Sequence, residues 1–234
     1  MREDQAERWL HYVMSLTGGF LGGYAILNRS GLLGAAQTSN MINTVLNLAG
    51  GSFSGLAIRL GALVLYVSGI VATVLIPRCT RWNLKNVSLA LDVAAVLVLG
   101  FLPQGMDNML ALYPLFFAMS VQWCTFQGCG GYASATVFST NNLRQFATAV
   151  TAFYFGREEK MREKIKFYGA TLTAFHLGVA ASWPCCNLAG VKSAWICLAP
   201  LAAAGYLAAA GRREESVKIC ECRGEGGNVR GLAG

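Results

Sequence analysis

Two stretches of the chain set amide and hydroxyl side chains inside apolar sequence, and they resemble each other. The first runs Gly31-Leu-Leu-Gly-Ala-Ala-Gln37-Thr38-Ser39-Asn40-Met41. The second runs Gly131-Tyr-Ala-Ser-Ala-Thr-Val-Phe138-Ser139-Thr140-Asn141-Asn142-Leu143. Asn40 and Asn141 stand 141 − 40 = 101 positions apart. An amide offers one acceptor and two donors, so the pair could line a polar cavity for a carbonyl-bearing or anionic solute. Gln37 and Gln122 extend that chemistry, and Thr38 and Ser139 sit within the motifs. Arg144 follows the second motif by one turn, where Asn43 stands in the first. A guanidinium there would take an anionic group. The competing readings are physical as well. Amides glue membrane helices together, helix hydroxyls bond back to their own carbonyls, and an arginine near a helix end snorkels to the headgroups.

Asp92 is the one acid set deep in an apolar run. It would pair with Arg59 or Arg144, or carry a proton. His176 also lies in an apolar run and could titrate near neutrality, although a lone buried histidine is more often a hydrogen-bonded packing residue. Enzyme signatures are missing: no phosphate-cradling glycine loop, no Gly-x-Ser-x-Gly, no His-Glu-x-x-His and no dinucleotide fingerprint. With His11 and His176 as the sole histidines, acid–base catalysis would rest on few groups. The eight cysteines are scattered, and Cys220-Glu-Cys222 supplies too few thiolates for a closed zinc site. No enzyme activity, cofactor or metal is expected.

The elements that must hold these residues read as membrane helices. The chain has 234 residues, 54% hydrophobic and 13% charged. Soluble domains carry about a quarter charged residues. The charges cluster at the N-terminus, around 78–85, at 157–166 and after 211. Between them lie apolar segments near 9–27, 31–50, 55–77, 86–102, 107–127, 131–153, 167–187 and 191–210, several of them matching the ~20 residues that span a bilayer. The second and sixth, which hold the polar motifs, either cross buried in protein or enter and return. Basic residues favour the cytoplasmic side. If the two polar segments do not cross, the 78–85 loop, the 157–166 segment and the tail all fall inside, with Arg29 and Arg59 as misfits. Eight full crossings would put Arg78, Arg81 and Lys85 outside. The net charge of +7 thus reads as topology, with no role for nucleic acid. The N-terminal residues have mixed sign and no convincing cleavage site, so no signal peptide is expected. Arg157 to Lys166 reads as an amphipathic helix along the inner surface. Gly18, Gly19, Gly22 and Gly23 give the small-residue spacing of close helix contacts.

The fold class expected is therefore all-α: a polytopic transmembrane bundle with internal two-fold duplication, six crossings plus two polar short or re-entrant helices, or else eight crossings. The parts are a cytoplasmic N-terminus at 1–8, a first membrane repeat at 9–102, a second at 103–210 and a disordered cytoplasmic tail at 211–234. Three crossings per half would make the repeats inverted, an arrangement common in secondary transporters.

Gly18-Gly19-Phe20-Leu21-Gly22-Gly23-Tyr24, Ala36 to Asn40, Gln122, and Gly130-Gly131 through Thr140-Asn141 together resemble the YoaK-like family of bacterial multi-pass membrane proteins. The resemblance covers roughly residues 10 to 210. Its most specific part is a pair of Thr-Gly-Asn motifs, present here as Thr38-Ser39-Asn40 and Ser139-Thr140-Asn141. The chain departs from the pattern at the central glycine of both motifs and at Gly22, where the family carries an acid. The resemblance implies a membrane location and a fold, with no substrate attached.

These readings converge on a protein of the inner membrane with both termini cytoplasmic, surrounded by membrane lipid and open to self-association as a homo-oligomer. The first functional expectation is a small-solute permease or exporter. Its site would bring Asn40, Asn141 and Arg144 together between the repeats. The alternative is an interaction or assembly protein whose polar motifs lock helices together.

Overall fold

The computed structural model describes residues 3–29 and 37–211. The start of the first motif, 31–36, and the tail with Cys220 and Cys222 lie outside the described residues. The described residues are all-α apart from one tiny ribbon. Its order is α1 (Glu3–Asn28), α2 (Gln37–Ala49), α3 (Phe53–Cys79), α4 (Leu84–Phe101), α5 (Asn108–Ala111), α6 (Tyr113–Thr125), β1 (Gly128–Cys129), β2 (Tyr132–Ala133), α7 (Thr140–Tyr154) and α8 (Met161–Ala189). A 3-10 segment (Gly190–Cys197) follows, then helix α9, described over 198–211.

The helices form because their buried residues recur at helical spacing. In α1 these include Leu10, Met14, Leu21 and Tyr24, and in α8 Phe167, Thr171, Gly178, Ser182 and Cys186. In α3 the buried stripe narrows to Ala62, Tyr66, Gly69 and Thr73. The rest of α3 exposes Val64, Val67, Val71, Val74 and Leu75. An apolar exterior of that kind suits lipid and not water. Among the described residues, three helical stretches are long and apolar enough to cross a membrane: Phe53–Cys79, Leu84–Phe101 and Met161–Gly211.

Contacts fix the directions. α1 and α8 run parallel, since His11 stacks on Phe167 and Asn28 bonds Cys186. Between those points the backbones touch. A Cβ on Gly19 would overlap the Phe175 carbonyl, and one on Gly178 would overlap the Leu16 carbonyl. α3 and α6 also run parallel, from Tyr113 on the Ile58 carbonyl to Tyr66 beside Trp123. Gly190, with φ of 54°, ends α8 in a conformation that favours glycine. α9 then returns along α1 until Gly211 lies beside Ala6.

The molecule thus has two ends. At one, Glu7 pairs with Lys85 at the start of α4, and Arg8 pairs with Glu163 at the start of α8. The 78–85 loop, the 157–166 segment and residue 211 share this end. At the other, buried Arg29 donates to the carbonyls of Pro103 and Gln104, and Trp195 donates to the Leu97 carbonyl.

The expected segment 131–153 is the one that departs most from a helix. β1 and β2 pair through a two-residue loop, Gly130–Gly131, with φ of 59° and 81°. Positive φ at both positions is the signature of a tight hairpin turn that glycine supplies. Residues 134–139 then run outside any helix, with Thr136 against Gly18 halfway along α1. α7 turns back from there along α8, with Phe146 against Gly169.

Candidate functional site

Residues 134–139 lie inside the bundle, so their peptide groups need partners within the protein. Asn142, in the first turn of α7, makes four bonds to these residues, three to peptide groups and one to a hydroxyl. Its Nδ2 donates to the carbonyls of Ala135 (2.7 Å) and Phe138 (3.3 Å). Its Oδ1 accepts from the Ser134 hydroxyl (2.9 Å) and the Ala135 amide (3.3 Å). That uses the full capacity of an amide side chain. Ser134 spends its single proton on Asn142, so His11 Nε2, 2.9 Å away, must donate to Ser134 Oγ. This fixes the His11 tautomer and leaves Nδ1 buried with no partner. Gln122 donates to the Met14 carbonyl (3.2 Å) and Thr136 Oγ1 (3.0 Å), and its Oε1 has no partner. The Tyr168 hydroxyl donates to the Ala133 carbonyl at 2.7 Å. Three helices, α1, α6 and α7, therefore pin the non-helical strand, and α8 holds β2 just before it.

The first motif is built on α3. Asn40 donates to Gln37 Oε1 (3.0 Å) and to the Arg59 carbonyl (3.2 Å), and accepts from Arg59 Nη1 (3.4 Å). Gln37 and Asn40 are buried, with Gln37 Nε2 unpartnered, while Thr38 is exposed. Arg59 is thus held on an amide, which accounts for a cation that ignores the basic-loop bias. Arg29, the other such cation, is fully buried.

The remaining candidates scatter. Arg144 is exposed and bonds Asn141 Oδ1 at 3.0 Å on the outer face of α7. No hydrogen bond among the described residues joins Asn40 to Asn141 or Arg144. α2 packs on α3 and α7 on α8, so the two motifs sit on different helices and do not meet as a pair. The buried amide of the second motif is Asn142, one place beyond Asn141. Ser139 Oγ is buried with no partner. His176 is exposed and bonds back to the Leu172 carbonyl. His11 occupies the buried position instead, together with Ser134 and Thr136, and none of these three stood out in the sequence.

Asp92 pairs with neither Arg59 nor Arg144 among the described residues. It is fully buried on α4, and both carboxyl oxygens lack partners, as does Ser88 Oγ one turn earlier. Arg59 and Arg144 are occupied elsewhere by Asn40 and Asn141. An unpartnered buried polar group costs about 1–3 kcal/mol, which an apolar replacement of similar size avoids. Asp92→Leu is therefore expected to raise thermal stability in detergent. A drop of several degrees in the melting temperature would mean that a partner holds the carboxyl.

At the Glu7 end a cavity of about 310 Å³ opens between α1, α4, α6 and α9. Glu7, Asn83, Lys85, Asn86 and Thr125 supply its polar lining. Cys129, in the ribbon nearby, has its thiol pushed up to about 11 by burial, with the Arg8 charge pulling the other way. It is therefore a poor nucleophile at neutral pH.

An all-helical bundle with an apolar exterior, closed around a buried polar strand, is the build of an α-helical membrane protein. Residues 10–207 match a family described as Protein of unknown function (DUF1275), and the chain belongs to that family. Its likeness to the YoaK-like proteins accords with this. No curated protein and no solved structure matches the chain.

Proposed function

We propose that this protein is a small-solute permease or exporter of the inner membrane. In this reading α1, α3, α4, α6, α8 and α9 cross the bilayer, and α2 and α7 are half-length polar helices. The halves α1–α4 and α6–α9 form inverted repeats. Their directions support it. α1 runs away from the Glu7 end and α6 towards it. α2 and α7 return to opposite ends. α3 and α8 run oppositely, as do α4 and α9. Inverted repeats with broken segments near the midplane are a transporter architecture. The shared end of the 78–85 loop and the 157–166 segment supports a cytoplasmic Glu7 end by the basic bias, with N- and C-termini inside. The 103–107 loop, without Lys or Arg, lies at the far end.

The observation that carries the reading is the non-helical strand 134–139. Irregular backbone is kept at membrane depth where it is buried in protein or lines a water-filled path. The assembly reading draws support from Asn142, whose bonds are all satisfied within the protein. Water access separates the two. In a cysteine-free background, Thr125→Cys and Ser139→Cys are each exposed to a hydrophilic thiol reagent. Modification of both is expected. If neither reacts from either side of the membrane, no path exists and the assembly reading stands.

A further inference from the structure

The Asp92 carboxyl and the Ser88 hydroxyl take no part in the polar network around the strand. Both residues are fully buried on α4, one turn apart on the same face. Both carboxyl oxygens and the hydroxyl have no partner. Ser88 is exceptional in a second way. Every other buried hydroxyl on the α-helices, among the described residues, donates to a carbonyl of its own helix: Ser15, Thr17, Thr73, Ser120, Thr171 and Ser182. That back-bond is the ordinary fate of a helix hydroxyl. Ser88 makes none, and it stands one turn from the one unpaired buried acid of the described residues.

A carboxylate in such surroundings needs a cation with it. Arg59 and Arg144 bond elsewhere, and Lys85, two turns back on the same face, pairs with Glu7. Carboxylate and hydroxyl oxygens are hard donors and suit hard cations. One carboxylate balances one positive charge, so a divalent ion would leave net charge in the core. A proton alone would draw the carboxyl onto the hydroxyl, yet the two make no hydrogen bond. A bridging water would leave the charge unbalanced. A bare sodium ion, smaller than a water molecule, joins the oxygens and cancels the charge. A route leads to it. Lys85 lines the cavity of about 310 Å³ at the Glu7 end, and Ser88 and Asp92 follow it along α4 at the spacing of three and four. Ala208 of α9 lines the same cavity, and Cys197, at the other end of that wall, lies near Asp92.

We propose that Asp92 and Ser88 bind a sodium ion that enters from the Glu7 end. The two carboxyl oxygens and Ser88 Oγ are its protein ligands. The site stands on this geometry, and its role as the coupling ion of transport rests on the permease reading. The stability that Asp92→Leu recovers in sodium-free buffer is then the cost of keeping a binding site, a trade common at functional positions.

The test is thermal unfolding of the full chain in detergent and choline chloride, replaced stepwise by sodium or potassium chloride at constant ionic strength. Sodium is expected to raise the melting temperature of the parent saturably, by roughly 5 °C or more at about a hundred times its dissociation constant. Potassium is expected to leave it unchanged. Asp92→Asn keeps the shape, drops the charge and is expected to abolish the shift. Ser88→Ala is expected to move the titration to about tenfold higher sodium, the scale of one lost ligand. Asp92→Leu is expected to melt at one temperature in all three salts, and it replaces the asparagine variant if that one does not accumulate. A parent indifferent to sodium, an equal response to potassium, or a sodium response that survives in either Asp92 variant overturns the site. The thiol reagent reads the permease separately. Modified Thr125→Cys and Ser139→Cys with no sodium response leave a permease without this site. A sodium response with both cysteines protected upholds the site in a protein that does not transport.

Discussion

Asn142→Leu is expected to unfold a large share of the protein, whereas Asn141→Leu, one residue earlier, is expected to leave it intact. Removing the Asn142 amide strands four groups: the Ser134 hydroxyl, the Ala135 amide and the carbonyls of Ala135 and Phe138. All but Phe138 belong to buried residues. Each stranded group costs about 1–3 kcal/mol when no water can replace the lost partner. The summed loss reaches the ~5–15 kcal/mol that holds a typical domain together. Asn141 gives up one exposed bond to Arg144, a change within about 0.5 kcal/mol. Thermal unfolding in detergent, with gel filtration to report monodispersity, compares the two. Similar melting temperatures for both variants would mean that the 134–139 strand does not depend on this amide.

The choice between these two asparagines shows how far the sequence could be read. Both sit in one polar stretch, and composition alone does not separate them. Successive helical residues point about 100° apart, so one alone can face inward. The inward stripe is Asn142, Phe146 and Ala149, at the helical spacing of four and three. That periodicity was present in the sequence, and the repeat alignment on Asn141 obscured it. In α2 the polar stripe of Gln37, Asn40 and Thr44 follows the same rule, and there the two amides of the motif are the buried residues. The all-helical class and most helix positions followed from apolar runs between charge clusters. The partners of the strand did not. His11 and Ser134 are 123 positions apart, and Gln122 reaches α1 across 108. No local pattern encodes contacts of that range. Asp92 illustrates the opposite case. An acid in an apolar run suggested an ion pair, but packing turned the available arginines to other acceptors.

Gly178→Ala is expected to destabilise the protein, although alanine favours helices over glycine by roughly 0.5–1 kcal/mol. Membrane helices associate without a hydrophobic drive between them, through close packing of small residues. Gly178 meets the backbone of α1, where a Cβ would overlap the Leu16 carbonyl and crowd the Phe20 amide. Backbone cannot rotate away as a side chain end can, so the helices must separate, at about 1–3 kcal/mol. Gly205 on α9 has nothing within contact range of an added Cβ. Gly205→Ala should therefore stabilise by about the helix-propensity term, giving the same chemical change the opposite sign. The separation at Gly178 also reaches the polar strand. α1 holds it through His11 and Gly18, and α8 through Tyr168 on the Ala133 carbonyl. Spreading α1 from α8 pulls those anchors apart, which is part of what the loss of Asn142 does. The combined variant, Gly178→Ala with Asn142→Ala, should then cost less than the two single changes added together, since coupled sites depart from additivity by roughly 0.5–3 kcal/mol. Denaturant unfolding of the four forms measures that difference. Strict additivity would separate helix packing from the polar strand and make each an independent feature of the fold.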